Sequence, residues 1–277
     1  DCMQGWLGYE TENVARNQRF IDFFMAAAKA RGVALRLITV DQIVTGVTDG
    51  RAFVLPQQPD FAVMRCMEPL LSRQLERCGV LVFNSARVSE ICNDKRRTHQ
   101  FFAENGFPAL PTAFVSLRAP GHPFGYPMVV KAAGGCGGRQ VFRCDTEEEY
   151  RMRLAQIAPD GAVAQPLCDT PGRDVRAYVL GNRIVQAMER YSDSADFRSN
   201  FGLHGHARKT ELTPEMAGYV NQAAKLLRFG LAGVDFVFHQ GRPYLNEIED
   251  AVGTRMLYQY TDLQIVDDYM DFILRKL

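Results

Sequence analysis

The sequence predicts an α/β fold whose second part has α+β character, and three observations predict it. Residues 5–84 alternate short apolar runs with a helical period, the pattern of a small doubly wound lobe. Further along, apolar runs come in close pairs, joined at Gly181-Asn182 and at Gln240-Gly241-Arg242, so those strands pair antiparallel. The change of style puts a boundary near residues 85–92, read as an N-terminal domain over 1–88 and a two-lobed domain over 89–277.

Taken in order, Gly5 to Tyr9 reads as a strand. Asn13 to Arg31 follows a helical period, with Phe20, Phe23, Phe24 and Ala27 on one face and Gly32 as the stop. Val33 to Val40, Ala52 to Leu55 and Phe61 to Met64 read as strands. Leu70 to Cys78 is the next helix, and Val80 to Phe83 a short buried strand. Asp94 to Asn105 is helical and closes at Gly106. After a Gly/Pro-rich stretch, Met128 to Ala133 is a strand, followed by a Gly-rich loop and the strand Gln140 to Arg143. Asp145 and Glu148 have capping-box spacing at the start of a helix. Ala162 to Gln165, Asp174 to Leu180 and Arg183 to Arg190 are strands, and Tyr191 to Leu212 reads as a polar loop without periodicity. Thr213-Pro214 opens a helix that runs to Phe229. Gly233 to His239 and Tyr244 to Glu249 form a hairpin, and a helix over Leu263 to Leu277 ends the sequence.

Hydrophobic residues make up 47% and charged ones 23%, and 32 basic residues balance 32 acidic ones. That neutrality argues against a nucleic-acid glove or a polybasic membrane patch. The seven cysteines are scattered without a Cys-x-x-Cys, which reads as reduced thiols and a cytoplasmic setting rather than a disulfide frame or zinc site. No apolar run approaches the roughly 20 residues that span a bilayer. The first residues lack a basic start and an apolar signal core, and Met3 is a candidate initiator.

Glu247 and Glu249 share one face of a strand because side chains alternate with period two. Whether Asp235 joins them depends on the turn. Two residues there would set Asp235 opposite Asn246; three, Gln240-Gly241-Arg242, would set it opposite Glu247, with Cβ atoms about 5 Å apart. Three converging carboxylates repel unless a cation holds them, and hard oxygen donors favour Mg²⁺ or Mn²⁺. An isolated Glu-x-Glu is more often a solvated edge. Against that, Asp235 lies inside Gly-Val-Asp-Phe-Val-Phe, where an unpaired charge is costly.

Lys131 closes an apolar strand and precedes Ala-Ala-Gly-Gly-Cys-Gly-Gly-Arg. Such a loop serves equally as a phosphate cradle or as a ligand-free hairpin turn. Lys95 opens a helix, where the dipole disfavours a cation; a surface lysine accounts for it, and a phosphate partner accounts for it better.

These pieces, in this order, resemble the ATP-grasp superfamily and within it the RimK-like glutamate ligases. The matching segments are Asn93-Asp94-Lys95, Val130-Lys131 with Gly135 and Gly138, Gly172 to Arg176, Glu189-Arg190, Phe197-Arg198-Ser199-Asn200, Leu212 to Glu215, and Gly233-Val234-Asp235 with Glu247. The resemblance covers residues 80–255. It implies an ATP-grasp fold and an ATP-dependent carboxylate–amine ligase that works through an acyl phosphate, with Mg²⁺ or Mn²⁺. It further implies that Lys95 and Lys131 hold ATP phosphates beneath Gly135 and Gly138. Gln165, Pro166 and Leu167 form the hinge that reads adenine, and Asp174 takes the ribose hydroxyls. Arg176, Arg190, Arg198 and Asn200, with Lys131, surround the transferred phosphoryl group and the substrate, while Asp235, Glu247 and Glu249 ligate metal. Two positions depart from the pattern: Glu249 stands where Asn is usual, and Gln165-Pro166 where an acid precedes an apolar residue. The partner implied is a small amino acid such as L-glutamate with a peptide or protein acceptor; self-association stays open, as do a different ATP-grasp reaction and a scaffold without turnover.

Overall fold

A computed structural model describes residues 2–134, 140–157, 161–192 and 206–277. The first lobe begins with strand β1 (Gln4–Tyr9), helix α1 (Thr11–Val14), a single 3₁₀ turn and helix α2 (Gln18–Ala30). The continuous helix expected from residue 13 is therefore broken at Ala15–Asn17. Its end is as expected: Gly32 has φ +70°, and the Gly32 and Val33 amides donate to the Lys29 and Ala28 carbonyls, a Schellman cap. There follow β2 (Ala34–Thr39), β3 (Val44–Thr48), β4 (Arg51–Leu55), β5 (Phe61–Met64), α3 (Pro69–Arg77), β6 (Leu81–Phe83) and α4 (Ala86–Cys92).

The parallel sheet has the order β2-β1-β5-β6. Side-chain alternation sends Leu7, Phe61 and Val63 to α2 on one face, and Trp6, Ala62 and Met64 toward Leu71 and Leu75 of α3 on the other. That is the doubly wound lobe read from the sequence, with one exception. Residues 52–55 pair with β3 in a separate hairpin, turned by Asp49-Gly50 at φ +48° and +72°. The Asp-Gly signal for it stands in the sequence.

The second part continues through α5 (Lys95–Glu104), β7 (Ala113–Val115), β8 (Met128–Ala132), β9 (Val141–Cys144), α6 (Glu147–Ile157) and β10 (Ala162–Pro166). Thr146, rather than Asp145, caps α6: its hydroxyl accepts from the Glu149 amide, while Asp145 pairs with Arg143. The antiparallel order is β7-β10-β8-β9. Met128, Val130 and Ala132 pack on Tyr150 and Leu154 of α6, so Lys131 and Gln165 take the opposite face.

Strands β11 (Arg173–Leu180), β12 (Arg183–Tyr191) and β13 (His206–Thr210), helix α7 (Pro214–Leu227), strands β14 (Leu231–His239) and β15 (Arg242–Glu249), and helices α8 (Arg255–Tyr260) and α9 (Ile265–Leu274) complete the chain. β13 corrects the expectation of a loop throughout 191–212; its Ala-Arg-Lys-Thr stretch lacks apolar alternation because only Ala207 is buried. The five strands are ordered β13-β12-β11-β14-β15. One face, with Val175, Ala177, Val234 and Phe236, is covered by α5 and α7. The other changes character along the strands. Tyr178, Leu180, Met188 and Leu231 pack toward α8, α9 and the first lobe, while Asp174, Arg176, Arg190 and Asp235 carry charge beyond them.

Candidate active site

The register of β14 and β15 decides the site. His239 pairs with Arg242, so the turn is the two residues Gln240-Gly241, at φ +51° and +73°, and the three-residue turn is not formed. Asp235 nevertheless faces Glu247, because a bulge between Asp235 and Phe236 takes up one extra residue, Asn246. Leu245 thereby stays in the core and Glu247 and Glu249 turn to the charged face. Ligand oxygens of Asp235, Glu247 and Glu249 lie within 4.8 Å of one another.

Cations surround these carboxylates. Arg176 donates to both Asp235 oxygens at 2.7 and 2.6 Å, and its Nη2 lies 2.6 Å from Glu249 Oε1. Arg190 donates to Asp235 Oδ2 at 2.7 Å and grips both Asp174 oxygens at 2.6 Å. Asp174 thus has Arg190 as its partner in this arrangement, beside the role at a ribose that the resemblance implies. Gly233 makes the crossing possible: a Cβ there would stand 2.8 Å from Val252 and 3.3 Å from Arg176. Burial penalises the Asp235 charge, but Arg176 and Arg190 outweigh it and hold its pKa below the ordinary carboxylate value.

Two lysines approach from the other side. Lys95 is the first residue of α5, whose amide donates to the Ala133 carbonyl, so the helix start is pinned to the end of β8. It is 8% exposed, and its Nζ lies 3.1 Å from Glu247 Oε1, so it is no surface lysine. Lys131 Nζ donates to Asn246 Oδ1 at 2.9 Å, linking the two sheets through the bulge residue. Burial lowers the Lys131 pKa to about 8 against the attraction of Glu247.

At the expected hinge, the Gln165 side chain is turned inward. Its amide donates to Thr112 Oγ1 at 2.9 Å and lies 3.1 Å from His99 Nε2. Thr112 spends its own proton on the Leu110 carbonyl, so His99 carries its proton on Nδ1 toward Thr112 and accepts at Nε2. Burial, then Lys131 and Lys95, depress the His99 pKa to about 3. Pro166 and Leu167 are half-buried, and Asp169 and Thr170 beyond them tie to His239, Gln240 and Phe238 at the hairpin tip. Gly135, Gly138, Arg198 and Asn200 lie outside the described residues.

The family profile described as the RimK-like ATP-grasp domain matches residues 93–273. The chain belongs to that family. This RimK-like ATP-grasp protein is 27% identical over 213 residues to a protein of Maridesulfovibrio salexigens named "Probable alpha-L-glutamate ligase", covering 73% of this chain and 69% of that one. Its fold is similar to that of D-alanine–D-alanine ligase from Bacillus anthracis complexed with ATP (TM-score 0.73, 16% identity, 99% and 96% of the chains). It is also similar to the ATP-grasp ligase PsnB complexed with a phosphomimetic variant of its minimal precursor, Mg and ADP (TM-score 0.72, 16% identity, 100% and 99%). The fold is ATP-grasp, and the RimK-like chain is an ATP-dependent ligase of the kind that joins carbon to nitrogen. Among the described residues no helix is long and apolar enough to cross a membrane.

Residues that sequence reading missed cluster on the first-lobe side. A cleft of about 280 Å³ runs from the charged face to the β1–α2 connection, lined among others by Arg16, Arg19, Arg65, Arg176, Glu249 and Arg255. Arg65 spans it from below, donating to Tyr9 Oη and to the Ala251 and Val252 carbonyls. No motif marks Arg16, Arg19 and Arg65, because the first lobe meets the site through tertiary packing alone; Arg255, which follows Gly253-Thr254, is one the sequence does offer, as a candidate clamp for a substrate carboxylate. The role of Asn246 was equally hidden, since a bulge leaves no pattern in a single strand's sequence.

Proposed function

We propose that the chain is a carboxylate–amine ligase that uses Mg·ATP and takes an amino acid such as L-glutamate as one substrate. The observation that carries this reading is the convergence of Asp235, Glu247 and Glu249 within 4.8 Å, faced by Lys95 and Lys131 from the opposite sheet. The three carboxylates offer only hard oxygens, which fits a small divalent cation, Mg²⁺ or Mn²⁺. When bound there, the cation would neutralise charge on the β- and γ-phosphate oxygens. A solved relative by fold holds Mg and ADP, which supports the same pairing here.

The chain's own groups would do the rest. Lys95 and Lys131 would hold phosphate oxygens beneath Gly135 and Gly138, and a phosphate beside Lys131 would favour its charged form. With the Gln165 side chain engaged by His99 and Thr112, backbone groups of Gln165, Pro166 and Leu167 would read the adenine edge. Asp174 keeps a lone pair on each oxygen for ribose hydroxyls while it anchors Arg190. A substrate carboxylate oxygen would attack the γ-phosphorus as the bond to the β-phosphate oxygen breaks and ADP leaves. An amine would then attack the acyl carbon; the C–N bond forms, phosphate departs and the nitrogen gives up its proton. Arg176, Arg190, Arg198 and Asn200 would stabilise the oxyanion of that step. The domain division at 1–88 and 89–277, with a hinge near 165–167, belongs to the same proposal.

The test is a screen of amino acids and small acids for ADP release with Mg·ATP. L-Glutamate or a related acid should trigger release in the parent, and Asp235→Asn and Lys131→Ala should each abolish it with far-UV dichroism unchanged. Release triggered by bicarbonate or D-amino acids instead would assign a different ATP-grasp reaction, and unchanged turnover in either variant would sink the site.

A further inference from the structure

Lys95 and His99 are four residues apart on α5 and share a face, so His99 lies about 6 Å along the helix axis from the lysine. Its ring is buried, set edge-on against Phe102, and it meets the buried side chain of Gln165. A carboxylate at 165 would need no orienting, because it accepts hydrogen bonds whichever way it turns. An amide has a donor end and an acceptor end, and its partners decide which of the two faces the cleft.

Here the partners leave one arrangement. Thr112 donates its hydroxyl proton to the Leu110 carbonyl at 2.8 Å, so toward Gln165 Nε2 and His99 Nδ1 its oxygen can only accept. With the ring proton on Nδ1, His99 Nε2 keeps a lone pair and takes the second Gln165 N–H at 3.1 Å. Burial and the charges of Lys131 and Lys95 keep a further proton off the ring, which would otherwise turn the amide around. Both amide protons are thereby used, and Gln165 Oε1 receives no hydrogen bond among the described residues. Nor is that oxygen sealed in, since Ser72 Oγ is the one fully enclosed side-chain polar atom without a partner among those residues. Gln165 stands two residues from Val163, the register partner of Lys131, so its side chain shares the face between the two sheets that carries the Lys131 ammonium.

We propose that His99, seconded by Thr112, is a positioning residue for base selection. It holds the Gln165 amide with its oxygen toward the nucleotide, so that the site prefers a purine with an amino group at C6 over one with an oxo group. This rests on the Mg·ATP reading for the presence of a nucleotide in that cleft. An amino group donates to the waiting oxygen, whereas an oxo group sets two acceptors against each other and leaves both unsatisfied.

Calorimetry with the full chain, comparing Mg·ADP with the magnesium complex of inosine diphosphate, tests the assignment. The parent should bind ADP at least about tenfold more tightly than inosine diphosphate. His99→Met removes one acceptor and frees the amide to turn its N–H groups outward. ADP binding should then weaken about fivefold, while inosine diphosphate binds more tightly than it does to the parent. Lost packing alone would weaken both. Thr112→Val lets the imidazole carry its proton on Nε2 instead, and should move the two affinities in the same directions with less disturbance of the core. Adding Gln165→Glu to His99→Met should restore the preference for ADP, because a carboxylate accepts in either orientation. Equal weakening of both nucleotides in the two single variants, or no recovery in the double variant, would overturn the role of His99 while leaving the Mg·ATP reading intact. A parent that binds neither nucleotide would defeat that reading and this inference with it. Affinities that shift as stated, without ADP release from any acid, would uphold the role of His99 and defeat the ligase reading.

Discussion

Lys131 lies one residue before the end of β8 with its ammonium between two sheets, and burial draws its pKa from 10.5 to about 8. Between those values the unfolded chain holds a proton that the folded chain has released, so stability rises with pH across that window. Below pH 8 the buried charge opposes folding, by up to about 3 kcal/mol for a shift of that size. Lys131→Met is therefore expected to melt several degrees above the parent at pH 7 while forming no ADP, and equal melting temperatures would show that the charge is well solvated. His99 acts with the same sign at lower pH. Its folded pKa of about 3 lies below the ordinary 6.5, so its contribution is complete above pH 6.5 and is lost as pH falls toward 3. His99→Gln should flatten the acid side of a stability–pH curve between those values; a curve of unchanged slope would refute the buried neutral imidazole.

The hairpin of β14 and β15 shows how an element places chemistry. Asn246 is one residue more than regular pairing accommodates, and the bulge around it lets Leu245 and Glu247 lie on opposite faces although they are two apart. Deleting Asn246 would restore regular pairing with Glu247 still opposite Asp235, and would take away the acceptor of Lys131. The expected result is a folded protein that still binds Mn²⁺ but forms ADP about tenfold more slowly or worse, since small misplacements of a phosphate-holding group have effects of that order. Loss of Mn²⁺ binding would mean that the bulge itself aligns the carboxylates.

At the scale of the molecule, the last helix closes the first lobe. Tyr269, Met270 and Ile273 of α9 join Phe24 and Ala28 of α2 and Tyr178 of β11 in one core. Arg31 of the first lobe forks onto Asp267 and Asp271 at 2.9 and 2.5 Å, both half-exposed. Arg31→Ala should therefore lower stability only by about 1 kcal/mol in chemical unfolding. Removing residues 263–277 would uncover Phe24 and Tyr178 and should leave an insoluble chain. A soluble, cooperatively melting truncation would show that the first lobe's core stands alone.

How much was legible follows from the range of each interaction. The doubly wound lobe, the Gly32 cap, the Thr213 cap and the shared face of Glu247 and Glu249 rest on local periodicity and turn chemistry, so residue order alone determined them. β13 escaped because its strand has one buried residue, and the break at Ala15–Asn17 because the apolar period runs straight through it. The tertiary structure alone decided that Asp235 meets Glu247 through a bulge, that Lys95 is buried against Glu247, and that Arg16, Arg19 and Arg255 ring one cleft. The physical reason is common to all three: register and lobe contact depend on partners far apart in the chain, and a sequence records a residue's neighbours along the backbone but not those across a sheet or a cleft.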